Sequence, residues 1–211
     1  MKIALSRVHF PVGTLGPGRR VGIWLQGCTI RCPGCISSDT WAKQAPDVLV
    51  ESLLEQISPW LAGCDGVTVS GGEPFEQPEA LEQLLRGIRA TSAADILVYS
   101  GMPFEALAEH RILSADLVDC LISEPFDVYA PQTKHLRGSD NQRMSLLTPR
   151  GREVFEHLDR AATEADRQLD VMFDAEGVVW LAGIPSRGDM TRLKLLLEAE
   201  GTYMRTTEAK A

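Results

Sequence analysis

The chain has 211 residues, 44% of them hydrophobic, and its 21 basic and 29 acidic residues give a formal net charge of −8. This length and composition fit one α/β domain with a sizeable core. The acidic balance argues against a large nucleic-acid interface, which normally has a basic face. A membrane helix is not expected, because no run of about 18 apolar residues occurs. Arg7 interrupts the first apolar stretch, so no signal peptide is predicted.

Apolar runs alternate with helical patterns along most of the chain, which is typical of βα units and a mostly parallel sheet. The predicted strands are residues 3–5, 21–25, 66–70, 95–100 and 117–123, at least four of them parallel. Helices are predicted from Asp47, as a capping residue, to Leu61, from Pro78 past Ile88, and over about 103–113. A long loop then runs from the last of these strands through residue 138.

The C-terminal part has a different pattern. Thr148 and Pro149 predict the start of a helix, and two short apolar runs, 169–173 and 178–181, predict a hairpin around residues 174–177. A last helix is expected over about 189–200, ending at Gly201. The plainest interpretation is that this extension enlarges the core, with Trp180 and the leucines at 193 and 195–197 inside it. Shielding a sheet edge or docking a partner are the alternatives.

Three cysteines lie in one short loop. Cys28, Cys32 and Cys35 are spaced Cys-x3-Cys-x2-Cys, whereas Cys64 and Cys120 are isolated. Such crowding is not typical of a disulfide scaffold, so we expect the protein to be located in the reducing cytoplasm. A four-iron cluster and a structural zinc each need four ligands, so three thiolates leave one metal position open for chemistry. A zinc knuckle or coincidence is the alternative. Cys64 and Cys120 are expected to be small core residues, unless one completes a four-thiolate site.

The residues around these cysteines carry a family resemblance. The stretch from Gly16 to Cys28, followed by the other two cysteines, resembles the radical S-adenosylmethionine (SAM) activating-enzyme signature. Trp24 replaces the usual phenylalanine and Ile36 replaces a tyrosine or asparagine. Gly34 stands where many radical SAM proteins place an aromatic residue, as in the similar ribonucleotide-reductase activases. The resemblance implies a 4Fe-4S cluster on the three cysteines and SAM contacts at Gly34 and Ile36.

A glycine-rich turn follows the third predicted strand, in the sequence Ser70-Gly71-Gly72-Glu73-Pro74. Glycines let a backbone approach a ligand closely, and ligand sites collect at the carboxyl ends of parallel strands. Alone, this turn would be a weak signal, and Glu73 could be a solvated carboxylate. One helix and one strand after the cysteines, the turn looks like the radical SAM motif that receives the methionine amino group. The resemblance therefore implies SAM contacts at Gly71, Gly72, Glu73 and Pro74.

Two further stretches are similar to the ribonucleotide-reductase activases. Tyr99-Ser100-Gly101 ends a predicted strand, where the resemblance implies a SAM contact at Ser100, and residues 136–142 look like the Arg-Gly-Ser-x-Asn-Gln loop of that group. Arg137 in this loop could equally be an exposed surface arginine. Ser123 and Glu124 replace an Asp-Gly pair, which leaves open whether Glu124 supplies an acidic contact. The resemblance spans about residues 13–147.

The resemblance implies a radical SAM enzyme whose cluster cleaves SAM reductively to a 5'-deoxyadenosyl radical. That radical abstracts hydrogen, with a glycyl-radical enzyme such as an anaerobic ribonucleotide reductase as the expected partner. An electron donor such as flavodoxin or ferredoxin is implied too, with no nucleic acid and no membrane. No catalytic side chain is predicted, because the step needs no protein acid or base. Alternatives are a small-molecule or peptide-modifying radical SAM enzyme, an iron–sulfur electron carrier and a zinc-binding interaction domain.

The expected architecture is an incomplete (β/α) barrel, since a full eight-stranded barrel typically takes about 250 residues. Residues 1–211 would form one domain, with a core over about 1–147 and a C-terminal helix–hairpin–helix extension over about 148–211.

Overall fold

A six-stranded mixed sheet occupies the centre of the protein, whose computed structural model describes residues 1–173 and 178–204. Its strands, in chain order, are β2 (Leu5–Val12), β3 (Arg20–Leu25), β5 (Gly66–Gly71), β6 (Asp95–Tyr99), β7 (Cys120–Ser123) and β8 (Arg143–Leu146). They lie in the order β2-β3-β5-β6-β7-β8. The four central strands are parallel, and both edge strands are antiparallel to their neighbours. The predicted α/β class is confirmed.

Two small strand pairs flank this sheet. β1 (Lys2–Ile3) pairs with β4 (Val48–Leu49), and β9 (Leu169–Phe173) pairs with β10 (Val179–Gly183). The single strand predicted over 3–5 is therefore wrong, because the chain changes partners at Ala4. Phe173 pairs with Val179 at the open end of the second pair, and the predicted turn over 174–177 lies outside the described residues.

Two long helices cover one face of the sheet, α1 (Val50–Leu61) and α2 (Pro78–Thr91). Their buried faces pack on alternate residues of the central strands, including Val21, Ile23, Val67 and Val69. This alternation is what period-2 strands require when one face is covered by helices. Asp47 does not cap α1, because Val48–Leu49 form a strand and the helix begins directly after it, with Leu49 in the capping position.

The helix predicted over 103–113 is two short helices, α3 (Phe104–Leu107) and α4 (Arg111–Ser114). His110 separates them, since its Nδ1 accepts a 3.3 Å hydrogen bond from the Ile112 amide and caps the second helix. The strand predicted from residue 117 starts at Cys120 instead. β8 was not predicted at all. It pairs with β7 after the long loop.

The other face of the sheet is covered by the C-terminal residues. α5 (Pro149–Phe155) and the turn after it place Phe155 and Leu158 on Leu97, Cys120 and Ile122. The β9–β10 pair contributes Met172 and Ala182 to a second cluster with Val12, Leu15 and Trp24, against which Trp180 also packs. Both clusters lie on side chains that point away from α1 and α2. The described residues after 148 therefore cover the face of the sheet opposite α1 and α2, which we call the inner face.

The last helix, α6 (Asp189–Ala199), packs less closely than predicted. Met190 is its buried residue, whereas Leu195 and Leu196 are 61% and 66% exposed. The prediction that these leucines belong to the core is wrong, because consecutive leucines point in different directions around a helix and only one stripe can face the protein. Among the described helices, none is long and apolar enough to cross a bilayer.

A buried ion pair joins the amino-terminal ends of three parallel strands. The fully buried Arg20 guanidinium donates to the Asp95 carboxylate at 2.5 Å, to the Thr68 hydroxyl at 2.6 Å and to the Val67 carbonyl at 2.9 Å. Three strands are thereby joined at that end of the sheet. The opposite, carboxyl ends carry the motifs singled out in the sequence.

Candidate metal centre

The cysteine loop leaves the carboxyl end of β3 and is tied at its base. The Gly27 amide donates to the Thr40 carbonyl at 2.8 Å, and the Cys28 amide donates to the Trp41 carbonyl at 3.4 Å. Within the loop, Gly27, Arg31 and Gly34 have positive φ angles of 102°, 50° and 75°. These three left-handed positions curl residues 28–35 into a tight turn.

The three predicted ligand cysteines lie together in this loop. None of Cys28, Cys32 and Cys35 forms a disulfide with a described residue, and the Cys35 amide donates to the Cys32 carbonyl at 3.1 Å. Burial, and to a smaller extent the neighbouring Cys32 and Cys28, raise the pKa of the Cys35 thiol. Cys64 lies at the opposite end of the sheet, just before β5, and Cys120 is fully buried at the start of β7. Both are core or near-core residues as predicted, and neither joins the loop.

Burial and nearby N–H groups have opposite effects on the pKa values of two loop thiols. Burial raises the pKa of Cys35 to about 11 and also raises that of Cys32. The Phe126 amide near Cys32, and the Ser37 amide and Trp41 indole near Cys35, lower these pKa values but do not offset burial. Negative charge on these sulfurs is therefore disfavoured in the protein alone, and a metal that replaces the proton would remove this penalty.

The donor set fits an iron–sulfur cluster. Three thiolates on one loop can bind three irons and leave the fourth iron accessible. Among the described residues, no three His, Cys, Asp or Glu side chains have the geometry to bind one metal ion. A four-iron cluster makes a different demand, because each thiolate binds a separate iron and the sulfurs stand farther apart.

The glycine turn after β5 packs directly on the base of the cysteine loop. The Gly72 amide donates to the Leu25 carbonyl at 2.8 Å, and the Glu73 amide donates to the Gly27 carbonyl at 2.9 Å. A Cβ added at Gly72 would lie 2.1 Å from the Gly27 carbonyl oxygen. Gly71 has a φ of 99° and no room for a side chain against Leu25. The two sequence motifs are thus in backbone contact, which requires glycine.

The Glu73 side chain is buried, so its interpretation as a solvated carboxylate is wrong. It accepts hydrogen bonds from the Ser100 hydroxyl at 2.8 Å, the Gly101 amide at 2.7 Å and the Phe75 amide at 3.0 Å. Burial outweighs these bonds and raises the pKa of Glu73. Pro74, also buried, starts the short turn that follows. Glu73 therefore connects the end of β5 to the end of β6.

Further contacts bring the cysteine loop against both strand ends. The Thr29 amide donates to the Glu76 carboxylate at 2.8 Å. Ile30 packs over Gly101, where an added Cβ would lie 2.8 Å from the Ile30 Cδ1 atom. The predicted site residues on β3, β5 and β6 are accordingly brought to one place, at the carboxyl edge of the sheet.

The loop after β7 faces the cysteines from another side. A Cβ built on Gly34 would lie 3.4 Å from both Phe126 and Val128. Glu124, with a φ of 85°, accepts hydrogen bonds from the Arg143 guanidinium at 2.6 Å and the Phe104 amide at 2.9 Å. Its carboxylate is thus engaged in fixing this loop. Ile36, directly after the last cysteine, is 47% exposed.

Arg137 is not an exposed surface arginine, because only 2% of its area is accessible. Its guanidinium pairs with Asp159 at 2.7 Å, and the preceding Leu136 carbonyl accepts a 3.2 Å bond from the Tyr99 hydroxyl. The Tyr99 hydroxyl at the end of β6 therefore holds the Arg-Gly-Ser loop in place.

Two residues that affect the pKa of the loop thiols were not identified from the sequence. Trp41 lies six positions after Cys35, and Phe126 belongs to a stretch noted only for Glu124. The only signal for Trp41 was a tryptophan, an N–H donor, shortly after a cysteine cluster. The Phe126 amide gave none, because a backbone donor has no sequence signature.

Comparison with protein families determines the class of this centre. Residues 14–145, more than half of the chain, match the family model described as a 4Fe-4S single cluster domain. The chain belongs to this family. This membership confirms the prediction that the cofactor is a 4Fe-4S cluster.

Several individual relatives of this protein are named as activating proteins or activating enzymes. It is 29% identical over 134 residues to the anaerobic ribonucleoside-triphosphate reductase-activating protein of Enterobacteria phage T4, covering 61% of this chain and 85% of the relative. The Escherichia coli protein of the same name is 30% identical over 145 residues, 64% of this chain and 93% of that protein. The pyruvate formate-lyase-activating enzyme of Staphylococcus epidermidis is 42% identical over 86 residues, only 37% of this chain and 34% of that enzyme. These relatives confirm the predicted resemblance to radical SAM activating enzymes.

Proposed function

We propose that this protein is a radical SAM enzyme that activates a glycyl-radical enzyme, such as an anaerobic ribonucleotide reductase. The observation that supports this most directly is the hydrogen bond from the Glu73 amide to the Gly27 carbonyl, 2.9 Å long, which joins the two motifs of the signature. Two relatives named as ribonucleotide-reductase activators match over most of their length, which supports this kind of partner.

The cysteine loop would hold the cluster through Cys28, Cys32 and Cys35, with the fourth iron open to SAM. When bound and reduced, the cluster would supply one electron that breaks the C–S bond of SAM, giving methionine and the 5'-deoxyadenosyl radical that abstracts hydrogen. The chain itself would bind and orient SAM and exclude water from the site. No side chain acts as an acid or base in this proposal.

The proposed SAM contacts are Gly34 and Ile36 in the cysteine loop, and Gly71, Gly72, Glu73, Pro74 and Ser100 at the carboxyl edge of the sheet. Gly71 and Gly72 offer backbone to the ligand, and Glu73 and Ser100 hold each other in a buried hydrogen bond of 2.8 Å. We assign these last two the task of keeping the two strand ends in register. A Cβ at Gly34 would already contact Phe126 at 3.4 Å, so glycine keeps this side of the loop without a side chain.

The four parallel strands with helices on one face are consistent with an open segment of a (β/α) barrel, and we propose that architecture. Residues 148–211 would then be an extension of the same domain, since Phe155 and Met172 pack on the inner face of the sheet. Hydrogen bonds of 2.7 and 2.9 Å from Gly13 and Thr14 to Asp170 support the same unit. We further propose a cytoplasmic protein that takes electrons from a flavodoxin or ferredoxin and binds neither nucleic acid nor membrane.

Anaerobic reconstitution tests this function. The protein is loaded with iron and sulfide, reduced with dithionite and given SAM, and 5'-deoxyadenosine is measured by chromatography. We expect four irons per chain and deoxyadenosine formation in the native protein and in Cys64→Ala. In Cys32→Ala we expect loss of the cluster and of the product. A Cys32→Ala protein with a full cluster would contradict the ligand assignment.

The partner is tested separately by electron paramagnetic resonance. Incubation of the reduced, SAM-loaded protein with an anaerobic ribonucleotide reductase should generate a glycyl-radical signal. Deoxyadenosine without any glycyl radical would favour the second candidate, a small-molecule or peptide-modifying enzyme, which the replacement of the usual Asp-Gly pair by Ser123 and Glu124 keeps open. A full cluster without deoxyadenosine would favour an electron carrier.

A further inference from the structure

The guanidinium of Arg7 lies against two tryptophan rings on the inner face of the sheet. Arg7 is opposite Trp24 in the pairing of β2 with β3, and its Cζ atom is 5.3 Å from the centroid of the Trp24 ring. The same atom is 4.4 Å from the centroid of the Trp180 ring, which belongs to β10. Because a cation is attracted to the face of an aromatic ring, the two rings restrict where this charge can lie.

Arg7 is also paired with the turn that follows the cysteines. Its Nη1 donates to the Asp39 carboxylate at 2.5 Å and to the Ser6 hydroxyl at 3.1 Å. Only 14% of the Arg7 side chain is exposed, and its Nε has no hydrogen-bond partner among the described residues. The position of the guanidinium therefore depends on these two acceptors and the two rings.

The turn that carries Asp39 supports the base of the cysteine loop. This turn is Ser38–Thr40, and the carbonyl of its last residue accepts the Gly27 amide at 2.8 Å. The next carbonyl, that of Trp41, accepts the Cys28 amide at 3.4 Å. A displacement of Asp39 would move both acceptors. Since Cys28 is the first of the predicted ligands, the ion pair with Arg7 is connected to the cluster site through one short backbone segment.

The contacts of Arg7 begin and end in different parts of the chain. The family model covers residues 14–145, whereas Arg7 precedes this range and Trp180 follows it, in the C-terminal extension. The series Trp180, Arg7, Asp39 thus runs from the extension to the base of the cysteine loop. The extension is connected to that loop as well as to the inner face of the sheet.

We propose that Arg7 is a positioning residue that, held by Trp180 of the extension, fixes Asp39 and the base of the cysteine loop and so slows the loss of the bound cluster. This inference rests on the proposed function, because it requires a cluster on the cysteine loop. Arg7 acts only through Asp39 and the backbone of the turn, and it binds neither iron nor sulfide. The extension thereby gains a task at the cluster in addition to covering the sheet.

The test measures how fast the reconstituted cluster transfers iron to the chelator ferrozine under anaerobic conditions. Arg7→Met removes the charge and keeps a long side chain, Asp39→Asn removes the acidic partner, and a double variant combines the two changes. Trp180→Leu removes the ring that the extension supplies. Arg86→Met is the matched control, since Arg86 lies in α2 and forms an exposed 2.8 Å ion pair with Glu82.

Arg7→Met and Asp39→Asn should each accelerate iron release by about three- to tenfold, as expected for the loss of a partly shielded ion pair. The double variant should release iron no faster than the faster single variant, because both changes remove the same interaction. Trp180→Leu should also accelerate release, and Arg86→Met should release iron at the native rate. A double variant whose effect is the product of the two single effects, or an unchanged rate in Trp180→Leu, would overturn the inference.

A general loss of stability is distinguished by Ile88→Val, which removes one methyl group from a fully buried residue of α2. Urea unfolding should show that this variant is less stable than the native protein, while its iron release stays at the native rate. Acceleration as large as that in Arg7→Met would mean that release follows stability alone, which overturns the inference.

A further variant and the native protein keep the result decisive. If Arg7→Met does not fold, Asp39→Asn decides, because Asp39 is exposed: faster iron release supports the inference and an unchanged rate overturns it. A native protein that binds no four-iron cluster would instead refute the proposed function, a result seen before any variant is compared.

Discussion

The carboxylate of Glu73 accepts a 2.8 Å hydrogen bond from the hydroxyl of Ser100, and both side chains are buried. The bond links the turn after β5 to the end of β6. The Gly101 amide donates to the second carboxylate oxygen at 2.7 Å, so each oxygen has a donor on the neighbouring strand end. Since buried polar groups lose water, their relative positions are fixed by these bonds. Glu73 thus acts as an internal brace at the edge of the sheet.

Glu73→Gln should lower the free energy of unfolding by about 1–3 kcal/mol, the usual cost of leaving a buried donor unsatisfied. The reason is that an amide nitrogen replaces one of the two accepting oxygens. Urea unfolding measures the effect. Glu79→Gln is the matched control, because Glu79 forms only an exposed 3.5 Å ion pair with Arg111 and should change stability by less than about 0.5 kcal/mol. Equal effects of the two substitutions would contradict the brace.

The effect of Glu73→Gln on the free energy of unfolding should depend on pH. Burial raises the pKa of Glu73 above its usual value of 4.5, so the folded protein holds this proton more tightly than the unfolded chain. The associated stability is fully present below pH 4.5 and is lost as the pH rises through the folded-state pKa. The stability advantage of the native protein over Glu73→Gln should therefore shrink from pH 4 upward. An advantage that grows with pH would show that the hydrogen bonds outweigh burial.

Gly72→Ala should separate the cysteine loop from the turn after β5. The new Cβ would lie 2.1 Å from the Gly27 carbonyl oxygen, so one backbone must move, at a cost of about 1–3 kcal/mol. We expect a lower melting temperature and reduced iron content after anaerobic reconstitution. Gly63→Ala is the control, because nothing lies within 4 Å of its added Cβ. Full iron loading and native stability in Gly72→Ala would show that the contact is dispensable.

Asp95→Asn should destabilise the protein by about 3–5 kcal/mol, because it leaves the buried Arg20 charge without its 2.5 Å partner. Chemical denaturation provides the measurement. In Glu198→Gln, which removes an exposed 3.7 Å pair with Lys194, the change should stay below about 0.5 kcal/mol. A small effect of Asp95→Asn would mean that Thr68 and the backbone carbonyls alone satisfy Arg20.

Glu124 combines a left-handed backbone with a side-chain ion pair. Its φ of 85° favours glycine, while its carboxylate binds Arg143. Glu124→Gly and Glu124→Ala both lose the ion pair, but alanine retains the strain of a positive φ. Glu124→Gly should therefore be more stable than Glu124→Ala by about 1 kcal/mol in denaturant titrations. The reverse order would indicate that this backbone changes conformation when the Arg143 contact is removed.

The central strands were predictable because each is an apolar run bounded by turn residues. β3, β5 and β6 start or end within a few residues of their predicted limits. The edge strands β2 and β8 were harder, since one side of each is unpaired and its side chains are mixed in polarity. The division between α3 and α4 depends on one hydrogen bond to His110, which leaves no periodic signal.

The sequence by itself determined the family and predicted the three cysteine ligands and the end of the sheet where they lie, because these follow from residue types at fixed spacing. Only the tertiary structure decided the environment of each group. Glu73 and Arg137 are buried rather than solvated, and Glu124 is paired with Arg143. Burial and pairing arise between segments far apart in the chain, and no local pattern encodes which distant strand end or loop will face a given side chain.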